Sequence, residues 1–257
     1  MNLMIIEPFK YIGKFSRNST LVLFQNIRDS IPLWEEYNKK FKFIILDNGA
    51  NEMACTYDSY IMLMRFVVQN KPYITNFELQ LPDTKGDFVT TKQLLSQLKS
   101  VAVSDEGVRR FLGTYRLQGV LQGKNFIELE ECFNILKNDF NVNTIGVPFA
   151  LDKIFGTRLK VIEWLVYCKG IEPSDIHLLG LNWNEQNIQF LKHPLIRECR
   201  SIDTTIPIKL GIANVSLREV KDVSRQTDYF GVELTDKQFE KSVDNVVELN
   251  KIIRGVL

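Results

Sequence analysis

The sequence is constrained most by a repeated alternation of short apolar runs with longer stretches of helical spacing. Short apolar runs that end in polar residues are typical of buried strands, and the stretches between them fit amphipathic helices. Strands alternating with helices predict a mainly parallel sheet, because each helix carries the chain back to the start of the next strand. The runs are 21–25, 41–47, 73–83, 117–123, 143–149, 175–181 and 198–205, with a weaker eighth at 207–213.

Helices are predicted between these runs, and the number of predicted strands indicates the fold class. About eight strands in 257 residues predict a TIM (β/α)8 barrel, with an open doubly wound sheet as the alternative. No linker rich in Gly, Ser and Pro divides the chain, so residues 1–257 are expected to form a single domain. The predicted helices are 31–39, 57–70, 90–100, 126–138, 157–169 and 184–192, followed by 239–256 behind a Thr235–Gln238 capping box.

Composition excludes several classes of protein. The formal net charge of +1 is unlike that of proteins that coat nucleic acid nonspecifically, so a nucleic-acid contact needs a local basic patch. Neither a signal peptide nor a membrane-spanning run is recognisable, which predicts a cytoplasmic protein without membrane contact. The cysteines are widely separated and His177 and His193 are the only histidines, so neither a zinc site nor another cofactor is expected; the cysteines are Cys55, Cys132, Cys168 and Cys199.

Polar residues and turn formers cluster where the apolar runs finish. In a barrel these strand ends share one face, so residues distant in sequence converge on one mouth. The carboxylates and the amide there could bind a polar planar ring and attack a glycosidic bond. The alternative is that each Asp merely caps the following helix. The residues are Asp47, Asp83, Gln122, Pro148, Gly180 and Asp203.

Five segments resemble motifs of the tRNA-guanine transglycosylases, in the same order along the chain. Each lies at a predicted strand end, and together they cover roughly residues 41–211. They are Leu-Asp-Asn-Gly-Ala-Asn-Glu (46–52), Gly-Val-Leu-Gln-Gly (119–123), Ile-Gly-Val-Pro (145–148), His-Leu-Leu-Gly-Leu (177–181) and Ser-Ile-Asp-Thr-Thr-Ile-Pro (201–207).

Departures from the family motifs point to one branch of the family. The family's zinc segment, three close cysteines and a histidine, has no counterpart after residue 203, so a barrel without the zinc-binding subdomain is expected. Asn48, Ala50 and Glu52 replace the family's Ser, Gly and Gln. These features, together with Leu-Pro-Asp at 81–83, look like the compact phage and bacterial branch that inserts 7-deazaguanines into DNA.

The resemblance implies a role for each matched residue. Asp203 corresponds to the nucleophile, and Asp47 to the second carboxylate, which acts as general base on the incoming base. Asp83 corresponds to the residue that accepts hydrogen bonds from the guanine edge. The remaining substrate-binding positions are Gln122, Gly146, Val147 and Gly180.

The expected function is exchange of guanine in DNA for a 7-deazaguanine, such as 7-cyano-7-deazaguanine, so the partners are DNA and the free base. A zinc-free enzyme acting on tRNA and a noncatalytic nucleic-acid-binding paralogue are the alternatives. Arg197, Arg200 and Lys209 flank Asp203 in sequence and are candidates for phosphate contacts, although a solvated surface explains them equally well. His177, inside an apolar run, is expected to be a satisfied core histidine.

Overall fold

The computed structural model describes residues 1–16, 18–49, 55–70, 76–220 and 223–256. Within these ranges eight parallel strands form one sheet in the order β1-β8-β7-β6-β5-β4-β3-β2, and the sheet curls into a nearly closed TIM barrel. The predicted fold class is therefore confirmed. The strands are β1 (Asn2–Ile5), β2 (Ser19–Leu23), β3 (Phe43–Asp47), β4 (Asn76–Gln80), β5 (Arg116–Val120), β6 (Thr144–Pro148), β7 (Ile176–Leu179) and β8 (Ser201–Thr204).

Helices cover the outside of the barrel, and each helix predicted from the sequence is present, some in shorter pieces. No helix in the described ranges is both long and apolar enough to cross a bilayer. The helices are α1 (Phe24–Ile27), α2 (Ile31–Lys40), α3 (Tyr57–Gln69), α4 (Phe88–Ser104), α5 (Glu106–Thr114), α6 (Phe126–Asn134), α7 (Ala150–Phe155), α8 (Leu159–Glu163), α9 (Glu185–Lys192), α10 (Pro194–Glu198), α11 (Ile206–Ile212) and α12 (Asp236–Arg254).

The weak eighth strand predicted at 207–213 is wrong, because this apolar run forms helix α11. Pro207 stands at the start of the helix, where its fixed φ angle fits and its missing N–H costs nothing. The run is almost entirely apolar because the helix is buried on most sides, and periodicity does not separate a short buried helix from a strand. The eighth strand is β1, which pairs with β8 from Asn2↔Ser201 to Ile5↔Thr204.

Helix α11 packs closely against α12. An added Cβ on Gly211 would lie 1.9 Å from Ser242 Oγ and 2.8 Å from Ser242 Cα. The Ser242 side chain is itself held by a 2.8 Å hydrogen bond to the Gln238 carbonyl. Glycine at 211 therefore sets how closely the last helix approaches the segment that follows β8.

The interior of the barrel is divided into an apolar and a polar half. Met4, Leu21, Leu23 and Ile45, from strands β1 to β3, form a small apolar cluster there. The inward-facing residues of the other strands are mostly polar, and they are buried: Glu78, Gln80, Gln118, Thr144, His177 and Ser201. Polar side chains in such a place need partners, because leaving a buried donor or acceptor unpaired is costly.

At the amino ends of the strands, an ion-pair cluster that we call the barrel floor closes the interior. The fully buried Glu78 carboxylate accepts hydrogen bonds from Arg116 Nε at 3.2 Å, Thr144 Oγ1 at 2.9 Å and Arg200 Nη1 at 2.7 Å. The Arg200 guanidinium also stacks over the Phe43 ring, 4.4 Å from its centroid. Charge-assisted hydrogen bonds of this kind offset the desolvation of the buried carboxylate.

Side chains, rather than a backbone ladder, connect β1 to β2. Ser16 Oγ accepts a 2.8 Å hydrogen bond from the Ile5 N–H, and Thr20 Oγ1 donates to the Ile5 carbonyl at 3.2 Å. The buried Glu7 carboxylate organises the connecting segment by accepting the N–H groups of Gly13, Phe15 and Ser16. Burial raises the pKa of Glu7 to about 7, although these hydrogen bonds oppose the rise.

The contact between α11 and α12 predicts a large difference between two glycine substitutions. Gly211→Ala is expected to lower the free energy of unfolding by about 2–3 kcal/mol, because the new methyl group overlaps Ser242. Gly113→Ala is the matched control, because Gly113 also lies in a helix but has nothing within 4 Å of an added Cβ. The control should gain about 0.5–1 kcal/mol from helix propensity. Urea unfolding measures both, and equal effects would contradict the packing described.

The raised pKa of Glu7 predicts a pH-dependent stability. A carboxyl group that binds its proton more tightly in the folded state stabilises the fold below its unfolded pKa, and this contribution is lost as pH rises through the folded pKa. The free energy of unfolding should therefore fall by about 3 kcal/mol between pH 4.5 and pH 8. Urea unfolding of wild type and Glu7→Gln across this range isolates the effect, since the variant should lack this component. Parallel pH dependences in the two proteins would exclude Glu7 as the source.

Candidate active site at the carboxyl ends of the strands

The carboxyl ends of the strands surround a cavity of about 190 Å³, which we call the strand-end cavity. The structure brings together Asp47, Asp83, Gln122 and Asp203, which all line it although they are widely separated in sequence. Pro148 and Gly180, two further strand-end residues, also line the cavity. Its volume lies below the roughly 300 Å³ at which clefts for drug-sized ligands begin, so it suits a small group.

Asp47 and Asp83 occupy the same wall of the cavity, with Gln80 between them. Gln80 Nε2 donates to Asp47 Oδ1 at 3.0 Å and to Asp83 Oδ1 at 3.2 Å. The Gln80 carbonyl in turn accepts a 3.0 Å hydrogen bond from Gln118 Nε2. Gln80 is not among the site residues predicted from the sequence, because residues 73–83 are taken there as one apolar run. The alternation of polar and apolar residues in Phe-Glu-Leu-Gln-Leu at 77–81 was the available signal, since it places Glu78 and Gln80 inside the barrel.

Amide groups surround the Asp83 carboxylate. Asn48 Nδ2 donates to Oδ1 at 2.8 Å, and Gln122 Nε2 donates to Oδ2 at 2.9 Å. Burial raises the pKa of Asp83, while the hydrogen bonds from Asn48, Gln122 and Gln80 oppose that rise. Asp83 is thus a buried acceptor at the cavity wall, held in place by three side-chain donors.

The Gln122 amide has a fixed orientation. Its Oε1 accepts a 2.9 Å hydrogen bond from the Gly86 N–H, and its Nε2 donates one hydrogen to Asp83. The second Nε2 hydrogen remains for a ligand, so Gln122 can present a donor to the cavity. Gln122 does not offer its acceptor to the cavity, because Oε1 already binds the loop after β4.

Asp203 stands on β8 with one carboxylate oxygen held. Oδ1 accepts the Gly180 N–H at 3.0 Å and lies 3.2 Å from His177 Nε2. Within the described part of the chain, Oδ2 has no hydrogen-bond partner, and Asp203 lines the cavity. The carboxylate is thus anchored through one oxygen only.

His177 is the anchor that the sequence did not predict as part of the site. It is fully buried, as expected of a core histidine, but its two nitrogens join Ser201 and Asp203. Ser201 Oγ lies 2.8 Å from Nδ1, so a Ser201 hydroxyl donating to Nδ1 leaves the hydrogen on Nε2 for Asp203. The signal lies in the register, which pairs His177 with Ser201, and register is not readable from one sequence.

Arg158, also missed, supports the loop that contacts Asp203. Its fully buried guanidinium donates to the carbonyls of Leu179 at 3.2 Å and Gly180 at 2.8 Å, and it stacks on Phe190. Burial lowers the pKa of Arg158, while the nearby carboxylates of Asp152 and Asp203 act against that change. Arg158 therefore fixes the peptide whose N–H anchors the Asp203 carboxylate.

Two positions expected to bind substrate do not line the cavity. Gly146 faces the barrel interior below the cavity, where an added Cβ would lie 2.9 Å from Leu179 Cδ1 and 3.2 Å from Val120 Cγ2. It is therefore a packing glycine. Val147 points outward into the core between the strands and helices, because side chains alternate along a strand. The residue of this segment that lines the cavity is Pro148.

The three basic residues proposed for phosphate contacts do not line the cavity either. Arg200 belongs to the barrel floor at the opposite end, and Arg197 lies on α10, which precedes β8 and so reaches the same end. Lys209 lies on α11, beyond the strand end. Among the described residues, the cations that line the cavity are Lys85, after β4, and Arg225, between α11 and α12. Ala50 and Glu52, noted as departures from the family motif, lie outside the described residues.

No protein-family model and no curated protein sequence matches this chain.

Replacing the buried Arg158 should have a large effect on the stability of the fold. Arg158→Met is expected to lower the free energy of unfolding by about 3–5 kcal/mol, because it leaves the Gly180 and Leu179 carbonyls without their charged donor. Arg218→Met is the control, because Arg218 makes an exposed ion pair with Glu248 and should leave stability close to wild type. Thermal or urea unfolding of both variants measures the difference; similar stabilities would refute the supporting role of Arg158.

Proposed function

We propose that this protein is a transglycosylase that exchanges guanine in DNA for a 7-deazaguanine by double displacement at Asp203. The observation that carries the proposal is the Asp203 carboxylate, whose Oδ1 is held by His177 and Gly180 while Oδ2 has no partner among the described residues. A carboxylate anchored in this way can approach an anomeric carbon without first breaking a hydrogen bond on the attacking oxygen.

The arrangement of strands supports a base bound opposite this nucleophile. In the ring of eight strands, β4 lies four strands from β8 in either direction, so Asp83 stands across the cavity from Asp203. Gln122 follows the adjacent strand β5. A planar ring that contacts Asp83 and Gln122 would direct its glycosidic bond toward Asp203.

The hydrogen-bonding groups on this wall complement guanine. Its ring N–H and exocyclic amine are donors for the Asp83 carboxylate, and its carbonyl can accept the second Nε2 hydrogen of Gln122. A carboxylate offers about four acceptor positions. Because Asn48, Gln80 and Gln122 already donate to Asp83, a paired contact with guanine requires one of these donors to turn away.

Two displacements account for the exchange. In the first, an Asp203 oxygen bonds to the anomeric carbon as the bond to guanine N9 breaks. The base leaves with the bonding electron pair and takes a proton at nitrogen from solvent water. In the second, Asp47 accepts the proton from the ring nitrogen of the incoming 7-deazaguanine, which bonds to the anomeric carbon and releases Asp203; Asp47 then gives that proton to solvent. Two inversions give net retention of configuration. Water must be kept from the intermediate during the exchange, because it would hydrolyse the bond to Asp203.

The choice of DNA as substrate rests on the resemblance to the DNA-modifying branch, and the cations at the cavity are compatible with it. Lys85 and Arg225 line the cavity, where phosphates flanking the reacting nucleotide would pass. The target base must leave the stack to reach Asp203, which costs a few kcal/mol and favours a flipped or unpaired guanine.

Asp203→Asn and Asp47→Asn should fail at different steps. With labelled 7-deazaguanine and DNA, Asp203→Asn should lose at least about a thousandfold in exchange and form no covalent adduct, because an amide is a poor nucleophile. Asp47→Asn should still form the adduct, visible on a denaturing gel, but should release it slowly, because the incoming base keeps its proton. Asp244→Asn, an exposed residue on α12, is the control and should match wild type.

Three results of this experiment would redirect the proposal. Incorporation into tRNA with none into DNA would assign the same chemistry to a different polymer. Binding of DNA by the wild type without adduct or exchange would favour a noncatalytic nucleic-acid-binding protein. Full activity in Asp203→Asn would remove the nucleophile and with it the proposed mechanism.

A further inference from the structure

The site contains two carboxylates on one wall and a single amide nitrogen that serves both. Gln80 Nε2 donates to Oδ1 of Asp47 at 3.0 Å and to Oδ1 of Asp83 at 3.2 Å, so each of its two hydrogens has its own carboxylate. All three residues are at least nine-tenths buried. Like charges so placed disfavour each other's ionisation, and donors to the charged forms counteract that effect.

The two carboxylates also determine which way the Gln80 amide points. With its carbonyl turned toward Asp47 and Asp83, three groups of acceptor oxygens would face each other without a proton between them. The observed orientation instead directs the carbonyl away, to Gln118 Nε2 at 3.0 Å. Gln118 thereby leaves its own Oε1 buried and without a hydrogen-bond partner among the described residues. The Gln118 Oε1 atom is thus unsatisfied in the arrangement that directs both Gln80 hydrogens to the carboxylates.

We propose that Gln80, oriented by Gln118, is a positioning residue that keeps Asp47 and Asp83 ionised together at neutral pH. This inference rests on the proposed function, in which Asp83 must accept hydrogen bonds from the departing base and Asp47 must accept a proton from the incoming one. A protonated Asp83 would offer one acceptor fewer, and a protonated Asp47 could not act as a base. Gln80 itself has no hydrogen left to read the substrate.

Other titratable and charged groups lie around Asp47 and Asp83. Asp203 stands across the cavity, with His177 behind it. Burial and the charges of Asp83 and Asp47 raise the pKa of the Cys55 thiol to about 11, which keeps that neighbour neutral. The cations Lys85 and Arg225 line the same cavity. None of these groups lies between the two carboxylates as Gln80 does, so its removal should not be compensated by them.

The test compares Gln80→Leu with wild type through two readouts. Carbon-13 NMR of the aspartate carboxyl groups should show the pKa of Asp83 rising by about one unit or more in the variant, because Asp83 and Asp47 each lose one donor and then face each other. The acid limb of the pH–rate profile for base exchange should move to higher pH by a similar amount. Activity should drop at least about tenfold near neutral pH and recover in part toward pH 9.

Two further variants complete the design. Gln118→Leu leaves the Gln80 donors in place but removes the group that orients them, so it should shift both readouts in the same direction by less. It also tests the inference if Gln80→Leu does not fold. Gln186→Leu, an exposed glutamine that donates to the Gly156 carbonyl, should reproduce the wild-type values.

The outcomes separate this inference from the proposed function. A wild-type protein without exchange activity would remove the transglycosylase, while the NMR titration of Asp83 would still test the role of Gln80. An unchanged Asp83 pKa and an unchanged pH–rate profile in Gln80→Leu would overturn the inference. So would an unchanged titration in a folded Gln118→Leu variant where Gln80→Leu fails to fold.

Discussion

Eight short parallel strands can close into a barrel if the side chains that point inward fill its interior, and here about half of those side chains are polar. Each buried polar group then needs a partner within the protein, because burial removes its hydrogen bonds to bulk water. Glu78 meets this need at the floor, Gln80 at the cavity wall and His177 beneath Asp203. The same requirement that holds the barrel together therefore orients the carboxylates at its mouth.

The barrel and much of its mouth could be predicted because both follow from local patterns. Alternating strand and helix signals define the fold class, and the ends of parallel strands meet on one face, which is why Asp83 and Asp203 could be placed together. The two errors in the predicted strands also have local causes. The strand at 2–5 is short and lies ahead of any repeat, and 207–213 is apolar on nearly every side because it is a buried helix.

What the sequence could not supply is the direction and pairing of individual side chains. Gly146 belongs to a matched motif, yet its place in the strand puts it below the cavity wall. Arg200 precedes Asp203 by three residues, but it stands at the other end of a strand and points to the floor. The supports of the site, Arg158 among them, depend on contacts between segments far apart in the chain. Such contacts follow from register and helix packing, which no single sequence displays.

The barrel floor has a consequence for the order of events in a base exchange. Because Glu78 and its two arginines close the amino end of the barrel, the cavity has its opening on the opposite side. In the proposed base exchange, the departing base and its replacement would then use the same entrance to a cavity of about 190 Å³. The first base would leave before the second arrives, and the polymer would stay attached to the protein in the interval. A cavity with a single opening thus suits the ping-pong order that a double displacement requires.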